Sequence, residues 1–205
     1  MKTHLSRADA LWSEGAARAK KGEIACRAGC FGCCIGLFEI SFAEALLVNE
    51  GLEGLPPDER REVERRARRI VTETAGDFPG DPAAGVLDVE RSESDDARYF
   101  DLVADRACPM LELPSGRCRI YAERPVTCRT YGLAWRKAGA IAHPACRLNF
   151  VDAGSESKRV TAIDLDLLTA GDQEMAEFAF AAGLPAGAST TIAHAVVGEA
   201  FRSAR

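Results

Sequence analysis

Histidine is scarce in this chain, three in 205 residues, beside three methionines and two tryptophans, so imidazole and thioether ligation is thinly provided for. No apolar run approaches the roughly 18 to 20 residues needed to span a bilayer, which argues against an integral membrane protein. Basic residues are not in excess: 26 Lys and Arg against 31 Asp and Glu give a net charge of −5, without the footprint that nucleic-acid binding requires. The N-terminal stretch MKTHLSRADALWSEGAARAKKGE is broken by charge every few residues. It has no apolar centre followed by a small-residue cleavage site, so no secretory signal is expected, and the cytoplasm is the expected compartment. Gly-rich nucleotide loops, Ser-His-Asp orderings, internal repeats and low-complexity tracts are also missing. The length suits one well-cored domain over 1–205 rather than several.

Cysteine, by contrast, is plentiful. Eight occur, four at Cys26, Cys30, Cys33 and Cys34, and four at Cys108, Cys118, Cys128 and Cys146. In a reducing compartment such clusters point to metal ligands or catalytic thiols, not to a disulfide framework. Thiolates bind zinc in a tetrahedron and also hold iron–sulfur clusters, so sulfurs from several segments must converge. The spacing is C-x3-C-x2-C-C followed by four isolated cysteines. Adjacent Cys33 and Cys34 have diverging side chains, so the pair faces two neighbouring sites, or one of the two packs. The pool makes two four-thiolate sites, or one site and a redox or structural remainder. A C-x3-C-x2-C run also invites comparison with radical S-adenosylmethionine enzymes, but no strand precedes it and no βα units follow.

Charge offers an independent reading. Four thiolates around a dication leave a net negative charge that is costly to bury without donors or cations. Between Arg106 and Arg136 stand six arginines against only Glu112 and Glu123, in a chain that is acidic overall. Arg119, Arg124 and Arg129 are therefore expected to surround the sulfur cofactor site, lowering thiol pKa values. The arginines between 60 and 69 are instead interleaved with acids and read as a solvated face held by pairs one turn apart.

Periodicity predicts helices over about 6–21, over 41–51 with a Ser41–Glu44 capping box, and over 58–74 after Pro56 and Pro57. Residues 76–85 read as a linker. The following acidic stretch 88–105 reads as surface, with only Tyr99, Phe100, Leu102 and Val103 expected to pack. A short hairpin is expected around Pro114-Ser115-Gly116, a short helix carrying Cys128 after Pro125, and a strand around 133–141. Two further helices are expected over 163–182 and 189–204, separated at Gly183 and Pro185. The fold class is mainly α with a small β-hairpin, an α+β arrangement with an irregular cysteine-cluster core packed by helices. His143, three residues before Cys146, reads as a solvent or supporting residue rather than a ligand, and His4 and His194 as surface residues. Tyr121 and Tyr131 flank Cys128 and could shield the site.

The string Cys26-Arg-Ala-Gly-Cys30-Phe-Gly-Cys33-Cys34, followed by Ile40-Ser41-Phe42-Ala43-Glu44-Ala45, resembles the YkgJ-type cysteine-cluster family of zinc- or iron-chelating domains. So do Cys108-Pro109-Met110-Leu111, Gly116 to Tyr121, and Arg124 to Gly132. The likeness covers about 24–150, leaving the charged region 56–105 and the C-terminal segments outside it. One spacing departs, since the family's C-x2-C is here C-x3-C between Cys26 and Cys30. The resemblance implies a mostly helical domain holding an iron–sulfur cluster (4Fe–4S) or zinc or iron ions, with flagellin lysine N-methylase as an enzyme relative. All eight cysteines form the expected ligand pool, and the expected partner is a metal ion or cluster, with no nucleic acid and no membrane.

Overall fold

The capping box forms as the sequence predicts: Ser41 Oγ accepts from Glu44 N at 3.3 Å, and Glu44 Oε2 accepts from Ser41 N at 2.8 Å. In this computed structural model, residues 2–168, 173, 176, 177, 180, 181, 183 and 187–202 are described. Helices α1 (Lys2–Ala17), α2 (Phe42–Glu53), α3 (Pro57–Thr74) and α4 (Glu93–Leu102) are followed by the shorter α5 (Val126–Thr130), α6 (Ser155–Val160), α7 (Ile192–Val197) and α8 (Glu199–Arg202). Short strands β1 (Glu39–Ser41), β2 (Gly80–Asp81), β3 (Val86–Leu87), β4 (Leu111–Glu112) and β5 (Arg117–Cys118) precede β6 (Trp135–Lys137), β7 (Ala140–His143), β8 (Ile163–Asp164) and β9 (Ser189–Thr191). The chain is mainly α with small sheets, as expected.

It divides into two units, Met1–Cys33 with Val126–Glu174, and Cys34–Pro125 with Met175–Arg205. In the first, α1 lies against α5 and β8, and its Leu11 and Trp12 pack on the buried cluster Leu133, Phe150 and Ile163. Gly15 makes that approach feasible, because a Cβ there would stand 2.6 Å from both Leu133 Cδ1 and Thr161 O. The expected strand over 133–141 is instead a hairpin, β6 pairing antiparallel with β7 and parallel with β8. It turns at Ala138 and Gly139, both with positive φ. His4, expected at the surface, is buried with Leu5 and Ala8 on the inner face of α1.

In the second unit the sheet runs β1-β9-β3-β2, with α2 and α3 packed on α7. Its core includes Ile40, Phe42, Val48, Leu52, Val63, Ala67, Leu87, Tyr99 and Ala193. Each large apolar side chain so buried contributes about 1.5–3 kcal/mol. The expected linker 76–85 is not one: Phe78 is buried and 80–87 forms the β2–β3 hairpin, tied to β9 through Leu87 and Ser189. Long-range pairing overrides the Gly and Pro signals there. Similarly, 189–191 is strand, and the following helix breaks at Gly198, whose Cβ would stand 2.6 Å from Ala84 O. The helix expected over 163–182 begins instead with β8 and a 3-10 turn at Leu165–Leu167. Much of the rest of that span, together with Pro185 and residues 203–204, lies outside the described residues. The hairpin at Pro114-Ser115-Gly116 is as expected, although β4 and β5 pair over two residues only. Tyr99 and Val103 pack as expected, whereas Leu102 points outward.

His194, expected at the surface, is wholly buried on α7. Its ring lies 3.9 Å from that of Phe78, Nδ1 is 3.1 Å from Thr191 Oγ1, and Nε2 has no partner among the described residues. Desolvation pushes its pKa down to about 4. A histidine depressed in the folded state contributes stability that is complete above the unfolded value of about 6.5 and is lost as pH falls toward 4. Urea unfolding should therefore show a loss on the order of 3 kcal/mol over that window from this group. His194→Asn, which keeps a polar atom facing Thr191, should flatten that part of the profile; an unchanged acid slope would contradict the assignment.

Candidate metal centre

All eight cysteines are thiols. In the first unit, Cys26 and Cys146 are tied to Gly132 and Asn149. Cys146 N donates to Gly132 O at 3.2 Å, and Asn149 N to Cys146 O at 2.9 Å. The Asn149 side chain, 3% exposed as a residue, accepts from Ala25 N at 2.8 Å and donates through Nδ2 to Gly132 O at 2.8 Å and to Cys26 Sγ at 3.4 Å. Phe150 N donates to Glu23 O at 2.6 Å, fixing the loop that leads into Cys26. Gly132 has φ +107, and a Cβ there would lie 3.1 Å from Cys26 Sγ and 3.2 Å from Asn149 Nδ2, so glycine leaves the sulfur its space. Cys30 follows a turn closed by its N–H on Arg27 O at 3.0 Å, and Cys33 sits in the 3-10 turn Gly32–Cys34.

Electrostatics shows that four of these thiols share a neighbourhood. The Cys26 residue is exposed overall, yet its sulfur is turned against Asn149 and its pKa is raised, first by desolvation. The Asn149 hydrogen bond opposes that rise, and the charges of Cys30, Cys146 and Cys33 add to it. Tyr131 is likewise raised by desolvation and then by Cys146 and Cys33. Cys30, Cys33 and Cys146 therefore stand near Cys26, and Cys33 and Cys146 near Tyr131.

In the second unit, Cys108 N donates to Cys34 O at 2.7 Å, beside an antiparallel bridge between Ile35 and Ala107. Leu111 N returns to Cys108 O at 3.0 Å, and Leu111 then pairs with Cys118 across the β4–β5 hairpin. Cys34, Cys108 and Cys118 are thus carried on one hydrogen-bonded turn and its hairpin. Cys128 stands on α5, in the first unit. The unit boundary falls between Cys33 and Cys34.

The three arginines singled out by sequence have varied surroundings. Arg119 Nη1 meets Glu59 at 2.6 Å, and Arg129 Nη1 meets Asp9 at 2.6 Å. Arg124 lies over the exposed Tyr121 ring, 3.6 Å from its centroid. His143 is exposed on β7, its ring 4.8 Å from Trp135, with Nδ1 2.8 Å from Pro144 O. Sequence reasoning overlooked Asn149, Gly132 and Arg66, whose guanidinium reaches Cys108 O. An isolated Asn, a Gly after a helix and one arginine among several carry no local signal of such contacts.

Among the described residues, no three Cys, His, Asp or Glu side chains already surround a common point as an ion's ligands do. Metal binding to thiolates brings ligands together that are not preformed as a site, and its free energy adds to that of folding. The donor set itself is all sulfur, the chemistry of soft-metal chelation. A family model described as a "putative zinc- or iron-chelating domain", with the signature CxxCxxCC, matches residues 25–147, and the chain belongs to that family. Metal binding is the property this family assigns. No curated protein and no solved structure matches the chain. Among the described residues, no helix is long and apolar enough to cross a membrane.

Asn149→Ala removes the acceptor for Ala25 N and the donor to Gly132 O and Cys26, and should destabilise the chain by about 2–4 kcal/mol in urea unfolding. Asn149→Asp should cost more, since it sets a carboxylate oxygen against Gly132 O and the sulfur. A change in Asn149→Ala within about 0.5 kcal/mol would show that these bonds do not organise the loop.

Proposed function

We propose that this protein holds an iron–sulfur cluster through thiolates, with Cys26, Cys30, Cys33 and Cys146 as the ligands in the first unit and Cys34, Cys108 and Cys118 as a second sulfur group. The ligand pool is all eight cysteines. Cys128 completes it as the member whose partner group the ligand substitutions are to assign. The observation that carries the reading is that Cys30, Cys33 and Cys146 stand near enough for their charges to act on Cys26, whose sulfur also accepts from Asn149 Nδ2. A four-sulfur set with a nearby N–H donor suits a 4Fe–4S cluster, whose sulfurs are stabilised by hydrogen bonds. The same four sulfurs suit a tetrahedral zinc or iron ion, which is the second reading and the one the family description favours. A cluster, when bound, supplies one-electron redox chemistry. This chain supplies the remainder: it positions the sulfurs, orients Cys26 by its hydrogen bond, and offsets negative charge with arginines, Arg119, Arg124 and Arg129 among them. Keeping eight thiols reduced fits a cytoplasmic setting.

Anaerobic purification followed by metal and acid-labile sulfide analysis tests this. Iron and sulfide in equal amounts, with the absorbance of a cluster, are expected. Zinc without sulfide would replace the cluster reading by the ion reading, and a metal-free protein that takes up neither would end both. Cys30→Ser and Cys146→Ser should each empty the first group, with the metal content of Cys128→Ser assigning that residue.

A further inference from the structure

Most arginines of α3 that are paired meet an acid one turn away: Arg61 with Asp58, Arg65 with Glu62, and Arg68 with Glu64 at 3.7 Å. Arg66 departs from this pattern. Its half-buried guanidinium turns to the cysteine-bearing segment of its own unit, with Nη1 2.5 Å from Leu111 O and Nη2 3.1 Å from Cys108 O. No carboxylate among the described residues pairs with it. Arg119, next to Cys118, comes close enough for its charge to act on Arg66. The Arg119 side chain is only 14% exposed; Nη1 is held by Glu59, and Nε is buried with no acceptor among the described residues.

Arg119 thus has the carboxylate of Glu59 in contact and that of Glu112 near enough to feel its charge, whereas Arg66 meets only carbonyl oxygens. Arg119 and Arg69 act against the Arg66 charge, and the sulfur of Cys108 is the group whose charge acts in its favour. A partly desolvated cation in such a place is costly unless an anion faces it. Neutral thiols do not supply one. Thiolates do: three of them around a dication leave one negative charge, and the uncompensated Arg66 balances it. The buried Arg119 Nε–H is likewise the kind of donor that a ligating sulfur satisfies.

We propose that Arg66, together with Arg119, is the counter-cation of a second metal centre on the thiolates of Cys34, Cys108 and Cys118. This rests on the thiolate reading above and extends it. Arg66 is a positioning residue, because it acts through the charge of the ligands and through the Cys108 carbonyl. It also gives the charged helix α3 a part in holding metal.

The test uses the 205-residue chain carrying Cys30→Ser and Cys146→Ser, so that the first sulfur group is disabled, with Zn²⁺ as the probe. Zinc affinity is measured by competition with a chromophoric chelator, and thermal unfolding is followed with and without zinc. Arg66→Met should weaken zinc binding about 10- to 100-fold and lower the Tm more with zinc than without it, the metal-free loss being that of the two carbonyl hydrogen bonds. Arg66→Lys, which keeps the charge but cannot span both carbonyls, should stay within about threefold of the parent. Zinc binding within twofold of the parent in Arg66→Met would overturn the proposal. So would an equal fall in Tm with and without zinc, failure of the metal-free Arg66→Met chain to fold, or a loss in Arg66→Lys as large as in Arg66→Met, each of which assigns Arg66 to backbone clamping. If the parent with Arg66 intact takes up no zinc, the second sulfur group itself falls and this proposal with it; first-group binding in the unsubstituted chain is judged separately.

Discussion

Thiolates repel one another, and several can occupy a small volume only where donors and cations offset their charge. That constraint orders much of what surrounds the cysteines in this chain. In the first unit the offset is dipolar: Asn149 donates to Cys26, and Gly132, lacking a side chain, leaves the sulfur room to receive the bond. In the second, the guanidinium of Arg66 donates to the carbonyl of Cys108, and on the proposal above it would supply the offset as a charge. The same chemical need is met by different means because the two groups sit on different scaffolds, one on loops tied across more than a hundred residues, the other on a turn and hairpin braced by a helix.

The scaffolds differ in how much apolar surface they enclose. The second unit has α2, α3 and α7 over a four-stranded sheet, and most of the fully buried large side chains belong to it. The first unit, of about 80 residues, is centred on Leu133, Phe150 and Ile163 with partly buried neighbours. Domains of that size bury a smaller share of their surface, and metal ligation is one way such cores are reinforced. Where a metal is bound in that way, binding energy becomes folding energy, because the ion holds together ligands from distant segments.

Much of this was legible in the sequence, and the misses have a common cause. Ser41 and Glu44 marked the start of α2 because a capping box is built from residues three apart. Pro114-Ser115-Gly116 marked a hairpin for the same local reason. The cysteine positions, and the likeness they carry, led directly to the family. By contrast, 76–85 looked like a linker because Gly, Pro and Asp are breakers locally, whereas β3 finds its partner in β9, about a hundred residues later. His194 looked like a surface residue because nothing nearby tells which face of a six-residue helix is covered. Arg66 shares its composition and spacing with the solvated arginines around it. Only the packing of α3 separates them, and Asn149 is hidden in the same way, since its partners lie at residues 25, 26 and 132.

Both indoles of the chain are built into the first unit, and each is anchored next to the sulfur-bearing segment. Trp12 donates to Tyr131 O at 3.1 Å, and Trp135 to Thr130 O at 3.2 Å. The second unit contains no tryptophan at all, and its phenols are Tyr99 and Tyr121. Intrinsic emission therefore carries an address: excitation selective for indole reads the surroundings of one sulfur group, while tyrosine light is needed to see the other. Tyrosine light is shared, because Tyr131 belongs to the first unit, so only the indole signal reads one set of thiols alone.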